Sequence, residues 1–155
     1  MFYSKSDGQY IQEGQAFQIN DLFYPANWLN LSTPEEKLAI GLEEVVATNS
    51  PANDTYYWVS STLDKASLTY TNTPKDLVGL KTQYVTQTKD TAGKLLSQTD
   101  WVIIRKAERG VEVPSEVALK RTQIVAEANR LEVDINGAIN VEALIEVLNG
   151  QNWGN

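Results

Sequence analysis

The side chains available for acid–base chemistry in this 155-residue chain are carboxylates, lysines, tyrosines and hydroxyls, because it contains no histidine and no cysteine. Histidine titrates near neutral pH and is the commonest metal ligand, while cysteine supplies thiolate nucleophiles. Glu35-Glu36 and Glu43-Glu44 are carboxylate pairs of the type that glycosidases use as acid and base. They lie at predicted helix ends, however, where acidic side chains serve caps and the helix dipole. The sequence therefore predicts a protein that is not an enzyme and uses no cofactor.

One segment places oxygen ligands in alternation before a glycine, as a calcium-binding loop does. It is Asp134-Ile135-Asn136-Gly137. The further ligands and the closing glutamate of such a loop are missing at the required spacing. We therefore expect a plain turn here and no metal site.

The charge of the chain restricts its partners. Twenty acidic and thirteen basic residues give a formal net charge of -7, which repels phosphate backbones and anionic membrane surfaces. The start of the chain has no apolar run of signal-peptide length, and no segment approaches the ~18 uncharged apolar residues of a membrane span. We expect neither a nucleic-acid nor a membrane partner, and a cytosolic protein where it is made.

The first part of the chain, residues 1–72, predicts a β-rich lobe built from short antiparallel hairpins. Residues 2–5 and 9–11 flank Ser6-Asp7-Gly8, a tight hairpin turn, and residues 16–20 follow as a third strand. A second hairpin joins residues 44–48 to 56–61 through a loop of turn formers, and residues 63–70 add one more strand.

One helix interrupts these strands. Thr33 is its predicted cap, Pro34 its first residue, and Glu36 the partner that bonds back to the cap. Gly41 ends it after barely two turns.

Residues 73–155 predict an α-helical half, so the fold class is α+β. Thr73 and Pro74 start a long amphipathic helix over residues 74–97, whose apolar stripe consists of Leu77, Leu80, Tyr84, Thr88, Ala92 and Leu95. A short helix over residues 100–109 ends at Gly110. Pro114 opens a third helix that carries Val117, Ile124, Ala128 and Leu131 on one side. After a turn at Asn136-Gly137, Asn140 caps a last helix over residues 141–148.

The tryptophans and the last apolar stripe can serve either a core or a partner. Trp58 and Trp101 lie in apolar-rich elements, so we expect them in the core. Trp153 lies in a polar end and either folds back on the last helix or contacts a partner. The last helix carries a stripe that packs internally or fills a partner groove, and the candidate partner contacts are Leu144, Ile145, Leu148 and Trp153.

Residues 95–121 contain an ordered set of motif residues. They are Leu95, Leu96, Thr99, Asp100, Trp101, Arg105, Glu108, Gly110, Pro114 and Arg121. Their order and spacing resemble the signature of the tail assembly chaperone and tail fibre assembly family of tailed bacteriophages.

The resemblance agrees with a helix corner rather than a catalytic site. Asp100 can cap or charge the start of the short helix, and Trp101 can bury against Leu95 or Leu96. Gly110 and Pro114 would fix the corner into the next helix. Arg105 could pair with Glu108 on the same face.

The resemblance implies a protein that folds, trimerises or attaches tail fibres. We therefore expect a phage tail fibre or baseplate protein, trimeric in form, as the partner. The protein would act in the host cytoplasm during assembly, as a chaperone, or stay in the virion tail as a structural adaptor. The long helix could pack across a trimeric fibre, because its three-and-four spacing suits a helical seam.

The alternative interpretation is a carbohydrate-binding module on the virion surface. Tyr56, Tyr57 and Trp58 would stack on host glycans during host recognition. An enzymatic function is the third interpretation.

Overall fold

The computed structural model describes residues 1–154, which form an α+β protein with its strands before its long helices. The chain divides into two compact units, Met1–Thr73 and a second that begins at Pro74. The predicted boundary is residue 72. Among the helices of residues 1–154, none combines the length with the apolar content that a membrane span requires.

The first unit contains eight strands and two short helices. They are β1 (Phe2–Ser4), β2 (Tyr10–Ile11), β3 (Phe17–Ile19), β4 (Leu22–Tyr24), α1 (Trp28–Leu31), α2 (Pro34–Ala39), β5 (Leu42–Glu44), β6 (Val46–Ala47), β7 (Tyr57–Asp64) and β8 (Ser67–Pro74). The predicted first hairpin is confirmed, since β1 and β2 pair antiparallel with Phe2 opposite Ile11. Gly8 in its turn adopts a φ of +70°, which glycine reaches without steric cost.

The predicted third strand, β3, does not join this sheet. Its partner is β4, which the sequence did not predict, and β5 takes the free side of β1 instead. Asn20 and Asp21 connect β3 to β4 with φ angles of 49° and 66°. Two consecutive positive φ angles are typical of the tightest hairpin turns, and asparagine and aspartate tolerate them best among non-glycine residues.

The core of the first unit consists of apolar residues from the sheet of β1, β2 and β5, from the β3–β4 hairpin and from α1. They are Phe2, Ile11, Ile19, Leu29 and Leu42. Three rings pack beside them: Phe17 stacks on Tyr24 with centroids 4.9 Å apart, and Trp28 meets Tyr24 edge-on at 4.9 Å. This aromatic group joins β3 and β4 to α1.

Both predicted ends of α2 are confirmed. The Thr33 backbone N–H donates to the Glu36 carboxylate at 2.8 Å, and the Glu36 N–H donates to the Thr33 hydroxyl at 3.3 Å. Gly41 follows the helix with a φ of +82°.

The predicted second hairpin is wrong in its pairing. β6 runs parallel to β8, and β8 lies between β6 and β7. β7 ends at Asp64 and β8 begins at Ser67, so the predicted strand over residues 63–70 is split by a turn in which Lys65 has a φ of 50°. The Asn49 side-chain amide donates to the Tyr70 carbonyl and accepts from the Tyr70 N–H, both at 2.8 Å. The side chain thus continues the hydrogen bonding of β6 with β8 past the end of β6. Periodicity alone does not reveal this side-chain pairing.

Residues 74–154 of the second unit contain four helices: α3 (Leu77–Ser97), α4 (Asp100–Arg109), α5 (Ser115–Gly137) and α6 (Val141–Asn149). α3 and α5 pack against each other, and α6 packs on α5. Contacts at both ends show that α3 and α5 are antiparallel. Lys81 near the start of α3 donates to the carbonyl of Asn136 at 2.9 Å, whereas Arg121 near the start of α5 reaches the carbonyl of Leu96 at 2.7 Å.

The predicted core stripes of α3 and α5 are confirmed. Leu80, Thr88 and Ala92 are buried on α3, and Leu77, Tyr84 and Leu95 are half-buried. On α5, Ile124 and Leu131 are buried, and Val117 and Ala128 are half-buried.

Two predicted helix ends are wrong. β8 extends through Pro74, so Asp76 rather than Thr73 caps α3, accepting from the Gly79 N–H at 2.7 Å. α5 continues through Asn136-Gly137, so neither the expected turn nor a calcium loop exists there. Ile135 is fully buried, and burial of its side chain favours one more helical turn.

Two leucines of α5 give a matched test of this packing. Leu131 is 0% exposed and Leu119 is 60% exposed. Leu131→Ala should lower the free energy of unfolding by about 2–5 kcal/mol, because it leaves a cavity in the core. Leu119→Ala should change it by less than about 0.5 kcal/mol. Chemical denaturation followed by circular dichroism measures both, and equal effects would contradict this placement of α5.

Candidate partner-binding site

One arginine joins three points of the helix corner. The same terminal nitrogen of Arg121, on α5, lies 2.7 Å from the carbonyl oxygen of Leu96, 2.8 Å from the hydroxyl of Thr99 and 2.9 Å from the carboxylate of Asp100. The Arg121 side chain is 22% exposed. The end of α3 and the start of α4 are therefore both held against α5, and four of the motif residues, Leu96, Thr99, Asp100 and Arg121, meet in space.

Thr99 and Asp100 use their side chains differently from ordinary helix caps. Thr99 precedes α4 without a side-chain cap, and its hydroxyl donates to the Leu96 carbonyl at 3.2 Å while it accepts from Arg121. Asp100 lies in the first turn, where its negative charge favours the helix dipole and also pairs with Arg121. The Leu96 carbonyl also accepts the Thr99 N–H at 3.0 Å, so Arg121 adds a charged donor to a carbonyl that is already paired at the end of α3.

The prediction that Trp101 is buried is wrong. Trp101 is 58% exposed, and its neighbour Val102 takes the buried position at 3%. Successive helical residues differ by about 100° in direction, so one position decides which side chain faces the interior. The Arg105 guanidinium lies over the Trp101 ring, 5.0 Å from its centroid. In the described residues Arg105 makes no ion pair with Glu108, which was its expected partner.

The remaining motif residues shape the turn into α5. Gly110 ends α4 with a φ of +67°, as predicted, and its N–H donates to the Lys106 carbonyl at 2.9 Å. Pro114 is the residue immediately before α5. Glu108 is exposed. Lys106 pairs with Glu112 across the turn at 2.9 Å, between two exposed side chains.

The outer side of α4 is an exposed apolar surface, which we call the α4 face. It consists of Trp101 and Ile104, which are three residues apart and so share one side of the helix, with Arg105 stacked on the indole ring. Ile104 is 55% exposed. Tryptophan and arginine are the residues most enriched where protein interfaces concentrate their binding energy. The α4 face is therefore the strongest candidate contact surface among the predicted residues.

We call the contacts of Arg121 with Leu96, Thr99 and Asp100 the arginine clamp, and a groove of about 440 Å³ lies beside it. The groove is lined by Leu96, Arg121, Thr122, Val125, Ala126 and Asn129. Val125 is 46% exposed, so the groove offers apolar as well as polar surface next to the corner. It provides room for a partner side chain beside α5.

Two of the other candidate partner contacts are core residues. On α6, Leu144 is 0% exposed and Leu148 9%, so the interpretation of these two as partner contacts does not fit the structure. Ile145 and Trp153 are half-buried. Asn140 caps α6 as predicted, accepting from the Ala143 N–H at 2.8 Å.

The segment after α6 folds back on α5 through a charge pair between the buried Glu127 and the exposed Arg130. Arg130 donates two hydrogen bonds to Glu127, at 2.9 and 2.7 Å, and a third to Asp134 at 2.7 Å. Arg130 also donates to the Gly150 carbonyl at 3.1 Å, and the Asn152 N–H donates to Glu127 at 2.7 Å. Glu127 and Asp134 lie three and four residues from Arg130 in the sequence, a spacing that suits ion pairs within one helix. Sequence reasoning did not use that signal here.

These contacts shift the pKa values of both Glu127 and Arg130. Hydrogen bonds from Arg130 lower the pKa of Glu127, with help from the Asn152 N–H and against the effect of burial. The hydrogen bonds with Glu127 raise the pKa of Arg130. The charged pair is therefore the form that holds residues 150–152 against α5.

The prediction that Trp58 is buried is also wrong, since it is 66% exposed at the start of β7. No residue between 43 and 79 of the described chain is buried, so the sheet of β6, β7 and β8 contributes nothing to the core. Tyr56 and Tyr57 precede Trp58 and are half-buried.

In residues 1–154, no group of three or more metal-binding side chains is arranged to hold an ion. Comparisons of the chain with protein-family models, curated proteins and solved structures find no match. The candidate site therefore depends on the geometry described above and on the sequence resemblance of residues 95–121.

The arginine clamp predicts a stability change specific to Arg121. Arg121→Ala should lower the free energy of unfolding by about 1–3 kcal/mol, because it leaves the Leu96 carbonyl and the Asp100 carboxylate without this donor. It should also speed amide hydrogen exchange in α4. Arg109→Ala, which removes an exposed arginine from the end of α4, is the matched control. Equal effects of the two changes would contradict the clamp.

The lowered pKa of Glu127 predicts how stability depends on pH. A carboxylate with a lowered folded-state pKa stabilises the fold above its unfolded value, and this contribution disappears as pH falls through the folded-state pKa. The ordinary pKa of a glutamate side chain is 4.5. Wild type should therefore be more stable than Glu127→Gln at pH 7, and the difference should shrink below about pH 4.5. Denaturation curves of both proteins measure it, and a constant difference down to pH 3 would exclude this cause.

Proposed function

We propose that this protein is a non-catalytic component of a tailed-bacteriophage tail that binds a tail fibre or baseplate protein through the α4 face. The observation that carries the proposal is a largely exposed tryptophan, Trp101, on a helix that Arg121 holds in place. Exposed apolar surface on a fixed helix favours a protein partner over a small molecule.

The arrangement of the motif residues supports this assignment. Thr99, Asp100 and Arg121 meet although Arg121 follows Thr99 by twenty-two residues. Their contact fixes α4, while Trp101 stays exposed and the half-buried Arg105 stacks on its ring. The motif thus separates into residues that hold the corner and residues that a partner can reach, which is the division expected of a binding motif.

The long helix α3 has a different role from the one that its spacing suggested. Leu80, Thr88 and Ala92 of its stripe are buried, and the helix packs on α5. It cannot offer that stripe to a fibre without opening the unit. We therefore assign contact with a trimeric fibre to α4, and we propose that binding occurs in the host cytoplasm during assembly.

The proposal predicts which exposed apolar residues matter for binding. The double change Trp101→Ala and Ile104→Ala should weaken binding to the purified tail fibre protein by roughly tenfold or more, because such anchors dominate interface energy. Circular dichroism should remain unchanged, since both side chains are exposed. Isothermal titration calorimetry measures the affinity.

The matched control is Leu22→Ala with Phe23→Ala, which removes two apolar side chains that are 62% and 72% exposed in the first unit. It should bind as wild type does. Equal loss in the control, or full binding by the α4 variant, would sink the proposed surface. Binding of host glycans that is abolished by Trp58→Ala would favour the carbohydrate-binding alternative instead.

A further inference from the structure

A groove in the first unit lies beside the hairpin of β3 and β4 and has a volume of about 540 Å³. Small-molecule sites have volumes of about 300–1,000 Å³. The groove is bordered by the Asn20-Asp21 turn and by residues that precede and follow Gly14. None of the partner contacts proposed above lines it, so the groove needs a separate explanation.

Unpaired polar side chains surround this groove. They are Gln9, Gln15, Gln18, Asn20 and Asp21. Within the described residues, these five side chains make no hydrogen bond to the protein. Each amide offers two donors and a carbonyl acceptor, and Asp21 adds a carboxylate. The groove therefore presents many unused donors and acceptors close together.

The charge of the lining selects against anions. Its charged members are Asp7 and Asp21, and among residues 1–154 no lysine or arginine contributes to the lining. Phosphate, sulfate and carboxylate ligands need cationic donors, and they would meet two negative charges instead. A neutral ligand fits better.

One aromatic ring completes the groove. Tyr10 is 38% exposed, and its ring is held by Tyr3 with centroids 5.4 Å apart. A fixed aromatic ring offers an apolar face for C–H groups. Neutral sugars combine such C–H faces with hydroxyls that both donate and accept, which matches the amides and carboxylate around the ring.

From these features we propose that the groove of the first unit binds a neutral saccharide. Tyr10 contacts a sugar face, and Gln18, Asn20 and Asp21 hydrogen-bond to its hydroxyls. This site differs from Tyr56, Tyr57 and Trp58, where sequence reasoning had placed glycan binding. It is independent of partner binding by the α4 face.

The test is a titration of the full-length, ¹⁵N-labelled protein followed by backbone amide shifts. The probes are two neutral trisaccharides, maltotriose and triacetylchitotriose, and one anionic trisaccharide, sialyllactose. A neutral probe should shift amides within residues 9–21 and saturate at a dissociation constant of about 1 mM. No shift in residues 9–21 with either neutral probe, shifts centred on residues 56–58, or tighter binding of sialyllactose would each overturn the proposal.

Variants then test the assigned side chains. Asn20→Gly with Asp21→Gly removes two of them but keeps the turn accessible, since glycine adopts the φ angles of 49° and 66° found there. Binding should weaken roughly tenfold or more, because buried hydrogen-bonding groups of the ligand lose their partners. Lys65→Gly, at a turn residue with a φ of 50° outside the groove, is the matched control and should bind as wild type does.

A third variant covers the case in which the double change disturbs the hairpin. Gln18→Ala leaves the turn intact, removes one exposed amide of the groove and should also weaken binding. Gln83→Ala, an exposed glutamine on α3, is its control. Wild-type affinity in Gln18→Ala, together with a folded double variant that still binds, would overturn the assignment.

Discussion

The helical unit depends on the contact of Arg121 with the end of α3 and the start of α4. One guanidinium nitrogen donates to the Leu96 carbonyl, which also accepts the Thr99 N–H at 3.0 Å, and at the same time holds Thr99 and Asp100. Arginine suits this role because its charge persists at all relevant pH values and its donors are rigidly arranged. With this contact α4 has a fixed orientation, and Val102 points inward while Trp101 points to solvent.

A second charged contact plays a similar part at the other end of the unit. Glu127 is 9% exposed, and it avoids the cost of an unpaired buried charge through Arg130 and the Asn152 N–H. Both contacts use an arginine of α5 to hold segments that carry few buried apolar groups. α5 is thus the element on which α3, α4, α6 and residues 150–152 are all positioned.

Local signals predicted much of the fold, since they depend on neighbouring residues only. The capping box of Thr33 and Glu36, the cap at Asn140 and the left-handed Gly110 all follow from short-range stereochemistry. The exposure of Trp101 could not be predicted in this way. Tertiary packing decides whether Trp101 or its neighbour Val102 faces the core, and adjacent helical residues point in directions about 100° apart. The pairing of β6 with β8 did not follow either, since the side chain of Asn49 supplies part of it. The groove of the first unit depends on the β3 and β4 hairpin, whose turn lacks the glycine that usually marks such a connection.

The proposed role of the α4 face is tested most directly by amide hydrogen exchange on the complex with the purified tail fibre protein. The exchange rates of the bound chain are compared with those of the free chain, residue by residue. If the α4 face is the contact surface, exchange should slow in residues 100–109 and along the neighbouring groove, with little change on α6. Protection confined to the first unit, or a complex in which residues 100–109 exchange as fast as in the free chain, would contradict it.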